Sequence, residues 1–349
     1  MKSIEINGRP VGPGHPCFII AEAGVNHDGK LDMARQLVDV AKAGGADAVK
    51  FQTFNAAQIV SSASPKAAYQ VQRTDPTESQ FEMLRRLQLS PEEHRELHAY
   101  CQERSVLFLS TPFDEASADL LADLGLPAFK IGSGEITNWP FLEHVARKGR
   151  PLILSTGMSY LSEVDEAVRV LLRAGCDQLV LLHCASVYPA HPADVNLRAM
   201  LTMYTAFGLP VGYSDHTSGI EVSLAAVAVG ACVIEKHFTL DRRLPGPDHL
   251  ASLEPEEFAS MVRGIRTVEA CLGHGRKEPV EREQDTRALM RKSLVAACDI
   301  PAGATVTPDM ICIKRPGTGL PPSVRPFFIG RIARTVIPLD TLLTLEMVE

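Results

Sequence analysis

Eight short apolar runs mark the larger part of this chain, and between them hydrophobic residues recur at helical spacing. The runs are CFIIAEAG, DAVKFQTF, VLFLSTPF, AFKIGSGE, PLILSTG, LVLLHCAS, PVGYSDH and CVIEKHF. Near-continuous hydrophobicity over so few residues predicts strands buried on both faces. Leu31, Ala34, Leu37, Val38 and Ala41 form a helical stripe that stops before Gly44-Gly45. Leu161, Val164, Val168, Leu171 and Leu172 form another before Gly175, and Ser162 with Asp165 predicts a capping box at its start. Pro91-Glu92-Glu93 opens a helix to about Glu103, with proline in the first turn. Phe258, Met261, Val262, Ile265, Val268 and Leu272 mark a last long helix ending at Gly273.

Strand and helix thus alternate eight times over residues 17–272, the pattern of a (β/α)8 TIM barrel. A doubly wound open sheet is the alternative, but it expects GxGxxG after the first strand, and AEAGVNHDG does not supply it. The predicted organisation is a barrel domain over 1–273, a polar linker arm over 274–290 and a small domain over 291–349. In the last, SLVAACDI, PAGATV, MICIKRPG and ARTVIPL read as short β pieces. A unit that small is expected to dock on another surface. The stretch from about Ala56 to Glu82 is long for a barrel loop and is expected to shape a pocket.

Composition narrows the function class. The 349 residues are 45% hydrophobic and 22% charged, as in a soluble globular protein. A net charge of -7 argues against a general nucleic-acid binder. No run of about 18 apolar residues is present, so no membrane partner is expected. The start, MKSIEINGRPVGPGHP, lacks the apolar core of a signal peptide. Eight cysteines without a CxxC pair read as small buried residues in a reducing compartment, so a cytoplasmic location is expected.

The polar residues that end the apolar runs carry the candidate chemistry. Burying such groups without partners costs about 1–3 kcal/mol each; gathered at one end of a barrel they make an active site. Lys50 and Gln52 share a face of their strand. With Lys130, Ser133, Thr111, Ser155 and Ser214 they predict a pocket for a small phosphorylated anion. His216 and His237 end neighbouring strands, about 4.8 Å apart, and suit an octahedral divalent ion such as Mn²⁺. Glu22, Glu135 and Glu235 place carboxylates at strand ends; Glu235 reads equally as a functional group or as a partner for a lysine. His27 is expected either at the mouth or away from it, His183 in the core, and His94, His98 and His144 on solvated helix faces. Residues 314–322, KRPGTGLPP, form a rigid loop; on these residues alone Arg315 reads as part of a surface turn.

The same motifs, with DVNLRAM, PVGYSDHTSGIEVSLAAVAVGA, VIEKHFTLD and PGPDHLASLEP, resemble the sialic acid (N-acetylneuraminate) synthases and the related legionaminic and pseudaminic acid synthases. The resemblance covers nearly the whole chain. It implies a barrel followed by an antifreeze-like (SAF, β-clip) domain, assembled as a domain-swapped homodimer. The implied reaction condenses phosphoenolpyruvate with the open-chain aldehyde of an N-acylated mannosamine-type sugar, with a divalent metal, most often Mn²⁺ but also Mg²⁺ or Co²⁺. Position by position, Lys50, Gln52, Thr111, Lys130, Ser133, Ser155 and Ser214 match phosphoenolpyruvate-binding residues, and His216 and His237 match metal ligands. Glu22, Glu135, Tyr188 and Asp248 match positions around the sugar and the reacting carbon. Arg315 matches the arginine that reaches from the partner's small domain to the N-acyl group, which displaces the surface-turn reading. The implied sugar is N-acetylmannosamine, giving N-acetylneuraminate. The alternative is 2,4-diacetamido-2,4,6-trideoxymannose, giving N,N'-diacetyllegionaminate. SPKAAYQ, residues 64–70, resembles the bacterial branch. Rival readings are a 3-deoxy-heptulosonate-type synthase and, outside enzymes, a carbohydrate-binding scaffold.

Overall fold

The structure, a computed structural model, describes residues 2–349 apart from 62–63, 67–70, 72–73 and 76. Part of the 56–82 stretch and most of the SPKAAYQ motif therefore lie outside the described residues. The chain divides into two compact units, Met1–Gly273 and His274–Glu349.

The first unit is a nearly closed barrel of eight parallel strands: β3 (Phe18–Gly24), β4 (Ala48–Thr53), β5 (Leu107–Pro112), β6 (Phe129–Ile131), β7 (Leu152–Ser155), β8 (Leu179–Cys184), β9 (Val211–Asp215) and β10 (Val233–His237). The ladder runs β5-β4-β3-β10-β9-β8-β7-β6, and β5 and β6 lie side by side where it ends. All eight expected runs became strands.

Side chains alternate in and out along each strand, and the inward file changes character with height. Phe18 and Ile20 precede Glu22; Ala48 precedes Lys50; Leu109 precedes Thr111; Ala128 precedes Lys130; Ile153 precedes Ser155; Val233 precedes Glu235 and His237. The apolar members of these files form one buried cluster inside the barrel. The polar members stand above it, toward the C-terminal end. A larger cluster fills the layer between the strands' outer faces and the helices, taking in Ala34, Leu37, Val168, Leu171, Phe258 and Ile265 from the expected stripes.

A hairpin absent from the sequence reading closes the lower end. β1 (Ile4–Ile6) pairs antiparallel with β2 (Arg9–Val11). Ile4, Ile6 and Val11 join the interior cluster. Asn7 and Gly8 both have positive φ, 51° and 76°, as a two-residue type I′ hairpin turn requires. The barrel is thereby plugged with hydrocarbon at one end and left polar at the other.

Two local expectations need correction. The helix Leu161–Arg173 begins before Ser162: the backbone N–H of Tyr160 donates to the Glu163 carboxylate at 2.7 Å, so Glu163 rather than Asp165 reaches back over the first turn. His94 is buried, with Nδ1 2.9 Å from the Ser90 carbonyl oxygen, because its face of the helix Pro91–Glu103 packs inward. His98 and His144 are half-buried rather than solvated.

In the second unit, β11 (Ser293–Ala296) pairs antiparallel with β12 (Ile311–Lys314). Its own core contains Leu294, Ile300, Val306, Phe328, Ile337 and Val348. Residues 274–290, read as a linker arm, include a short helix, Gln284–Met290. The Ser293 hydroxyl donates to the Pro316 carbonyl (2.7 Å) and accepts from the Gly319 N–H (2.9 Å). That clamps the loop carrying Arg315, whose side chain is exposed on this unit.

Candidate active site

The polar tops of the strands enclose a cavity of about 530 Å³ at the C-terminal mouth of the barrel. Lys50, Gln52, Thr111, Lys130, Ser133 and Ser214 line it. So do Glu22, Glu135, Tyr188, His216, His237 and Asp248. Of the expected site residues, Ser155 and Arg315 stand apart. Ser155 ends β7 just behind the cavity surface, buried, and among the described residues its Oγ has no hydrogen-bond partner. Arg315 belongs to the second unit.

Four buried charges form the floor. Lys50 Nζ lies 2.6 Å from Glu22 and 3.6 Å from Glu235, and donates to Thr111 Oγ1 at 2.9 Å. Lys130 Nζ lies 3.6 Å from Glu235, whose other interaction is a 2.8 Å bond from the Ser214 hydroxyl. Strand register brings these groups together: Glu22 stands opposite Lys50 on one side and His237 on the other, and Glu235 opposite Ser214.

The two carboxylates titrate in opposite directions. Burial raises Glu22 to about 7 against the pull of Lys50. Burial would also raise Glu235, but Lys130 and Lys50 overcome it and hold it near 2. Burial lowers Lys130 despite the nearby Glu235. Below neutrality Glu22 is mostly protonated, and the floor then presents two lysines against one ionised carboxylate, a net positive cradle for an anion.

Because the folded chain keeps a proton on Glu22 that the unfolded chain, near 4.5, releases, stability falls as pH rises between those values. Glu22→Gln removes that titration. Its unfolding free energy in urea should decline less steeply than the wild type's between pH of about 5 and about 8; equal slopes would contradict the assignment.

A second group of donors lies beside Lys130. The Gly157 N–H donates to Ser133 Oγ at 3.0 Å. A Cβ on Gly157 would sit 2.1 Å from Ser186 Oγ and 2.9 Å from Ser133 Oγ. Only a residue without a Cβ lets the Ser133 and Ser186 hydroxyls and the Cys184 thiol close in on the backbone here. Glu135 lies on the turn Ser133–Glu135 and accepts from Asn138 at 2.6 Å.

Across the cavity stand the imidazoles, ring centroids of His216 and His237 5.4 Å apart, with the Tyr188 ring 4.1 Å from His216. His216 Nδ1 is 2.8 Å from the Ala185 carbonyl, so Nδ1 carries the proton and Nε2 keeps its lone pair. Among the described residues, buried His237 Nδ1 has no hydrogen-bond partner. Burial lowers both histidines, His237 further through His216, so both are neutral as metal ligation requires. No group of three or more His, Cys, Asp or Glu poised for a metal occurs among the described residues. The pair fits an ion whose remaining positions are filled by water and substrate oxygens, which suits Mn²⁺ or Mg²⁺ better than a closed zinc site.

Behind them, on the outer face, Lys236 pairs with Asp215 at 2.9 Å and donates to the Thr217 carbonyl at 2.6 Å. Asp215 also accepts from Ser223 at 2.6 Å. This buried brace fixes the strand ends that carry both histidines. On the inner side, Gly24, at φ 53° after a register shift in β3, lets Glu22, Gln52 and Asp248 converge within 3.3–3.6 Å of where its Cβ would be. Burial raises Asp248 to about 6.

Glu235, left open in the sequence between a functional group and a partner for a lysine, pairs with both Lys50 and Lys130, while Ser186 and Gly157 lie outside the expected set. The parity of VIEKH, which puts Glu235 on the same face as His237, was the signal for the first.

Related proteins share this arrangement of domains. A model described as the NeuB family matches residues 37–277, and one described as the SAF domain matches residues 291–349. The N,N'-diacetyllegionaminic acid synthase of Legionella pneumophila is 49% identical over 350 residues, covering 99% of this chain and 98% of that protein. The synthase of the same name from Campylobacter jejuni is 48% identical over 318 residues, 90% of this chain and 95% of that one. The crystal structure of N-acetylneuraminic acid (sialic acid) synthetase from Leptospira borgpetersenii, in complex with citrate, superposes with a TM-score of 0.73 at 36% identity, covering 82% of this chain and 95% of that one. Barrel and domain order agree with these matches, and the chain belongs to the NeuB family, with a SAF domain at its C-terminal end.

Proposed function

We propose that this chain joins phosphoenolpyruvate to the open-chain aldehyde of an N-acylated mannosamine-type sugar, releasing phosphate and a nine-carbon 2-keto-3-deoxy acid. The observation that carries this reading is the single cavity in which a net cationic lysine and serine cradle faces two neutral imidazoles. Of the two sugars open from the sequence, the names of the relatives at 49% and 48% identity favour 2,4-diacetamido-2,4,6-trideoxymannose over N-acetylmannosamine.

Lys50, Lys130, Thr111 and the serines hold the phosphate, and Gln52 and Ser214 orient the rest of the enol ester. Mn²⁺, or Mg²⁺ or Co²⁺ in its place, held by His216 and His237, supplies Lewis-acid polarisation of the aldehyde. Carbon 3 of the enol attacks the aldehyde carbon, and the carbonyl oxygen takes up a proton; Glu22, which burial keeps partly protonated near neutrality, is the candidate donor. Positive charge develops at carbon 2, where Glu135 stabilises it. Water adds at carbon 2 and loses a proton. Collapse of the tetrahedral intermediate then breaks the carbon–oxygen bond and expels phosphate onto the lysines. Tyr188 and Asp248 flank the sugar.

A homodimer with exchanged C-terminal domains, Arg315 of one subunit reaching the N-acyl group, belongs to the same proposal, as does a cytoplasmic location. Free cysteines are in keeping with the latter, and no helix among the described residues is long and apolar enough to cross a membrane.

The test is phosphate release from phosphoenolpyruvate with each sugar and Mn²⁺. Release is expected; sugar binding without release from any N-acylated hexosamine would instead support the scaffold reading. Gly157→Ala would push its Cβ into the Ser186 and Ser133 hydroxyls and displace them, so it should raise KM for phosphoenolpyruvate about 10-fold while moving kcat less. An unchanged KM would remove Gly157 from the cradle.

A further inference from the structure

The cavity is polar on one side only. Its opposite wall comes from the long excursion after β4, where the helices Ala56–Ile59 and Gln80–Leu87 pack together. On the second helix, Gln80, Met83, Leu84 and Leu87 all face the cavity, the i, i+3, i+4, i+7 face of a helix. Ile59 and Phe113 complete the lining. Val25, Phe54, Met83 and Leu87 form a separate buried cluster against which Ile59, Leu84 and Phe113 pack, and Phe54 braces Phe113 edge-on at 6.2 Å. Ile59, Leu84 and Phe113 are half-buried, so they keep surface for a ligand.

None of the steps above uses this wall. Phosphate, enol carboxylate and aldehyde all need the charged side. What remains of the sugar, its substituents at carbons 4 and 6, must face whatever the other side offers. We infer that the wall of Ile59, Leu84 and Phe113 is the specificity element for the sugar, selecting a methyl group at carbon 6 and an acetamido group at carbon 4 over hydroxyls; this rests on the synthase reading. Hydroxyls placed against hydrocarbon lose their water partners and gain none. A methyl there removes apolar surface from water. Gln80, at the first turn of the same helix, provides the one amide on this stripe able to pair with an acetamido group.

The test compares kcat/KM for 2,4-diacetamido-2,4,6-trideoxymannose and N-acetylmannosamine, with phosphoenolpyruvate saturating. The wild type should favour the first by about 10-fold or more, since a methyl-sized group in an apolar pocket is worth about 10–200-fold. Leu84→Asn should cut that ratio about 10-fold with KM for phosphoenolpyruvate unmoved. Ile59→Thr, a milder change that keeps β-branching, should shift it the same way, and Leu84→Met should hold the wild-type ratio. A wild type that prefers N-acetylmannosamine, or a ratio unmoved by both Leu84→Asn and Ile59→Thr, overturns the wall assignment while leaving the synthase reading intact. Phosphate release with neither sugar overturns the synthase reading, and the wall with it.

Discussion

Replacing His216 or His237 with Ala should abolish turnover and weaken metal binding together, with activity falling by about 10³ or more. Polarising the aldehyde is worth several kcal/mol of transition-state stabilisation, and each factor of 10 needs about 1.4 kcal/mol. Neither imidazole has a structural task that matches this loss. His216 bonds the Ala185 carbonyl and makes a longer contact, 3.4 Å, with the Ser214 hydroxyl; leaving the carbonyl oxygen unpaired costs about 1–3 kcal/mol, enough to lower stability but not to unfold the barrel. Two measurements separate the roles: Mn²⁺ affinity by calorimetry, and thermal unfolding. The expected pattern is lost affinity with a modest shift in melting. Full activity in a strong chelator would refute the metal role outright.

The second large effect falls on stability. Glu235→Met should cost about 3–5 kcal/mol, because it strands Lys130 in a site it shares with Lys50 and removes the only carboxylate between them. Adding Lys130→Met should recover much of that loss, since it takes away the charge that Glu235 had compensated and leaves Lys50 with Glu22, 2.6 Å away, as its partner. Activity should stay absent in both variants, for the phosphate has lost Lys130 in one and the carboxylate that positions both lysines in the other. Urea unfolding of the single and double variants reads the first claim, and phosphate release reads the second. A double variant less stable than the single one would show that the four charges are not coupled as described.

The placement of Glu235 shows where sequence reasoning stops. VIEKH is a five-residue strand, and alternation puts Glu235 and His237 on one face and Lys236 on the other. Lys236 pairs outward with Asp215, as the strand parity requires. Which partners Glu235 takes depends on the register between β10 and β9 and on how far Lys50 and Lys130 reach across the barrel, quantities that no single segment carries. The strand ends were legible because buried lysines, histidines and glutamates in apolar runs have no other economical use. The β1–β2 hairpin was missed despite the Asn-Gly turn signal in IEINGRPV, because its strands are three residues long, too short for alternation to stand out. The start of the helix Leu161–Arg173 turned on whether Glu163 or Asp165 reached back, and both lie within the first turn. The apolar wall was hidden for a different reason: QFEMLRRL is amphipathic, but its partner surfaces, Phe54 and Phe113, come from the ends of two strands far away in sequence.

The most direct measurement is a crystal structure of the enzyme grown with Mn²⁺ and phosphoenolpyruvate. The anomalous peak should lie between His216 and His237, with the phosphate on Lys50, Lys130 and the neighbouring serines and the enol carbon turned toward the two histidines. Phosphoenolpyruvate bound at the hairpin-plugged end of the barrel, or a metal held away from both histidines, would contradict the account.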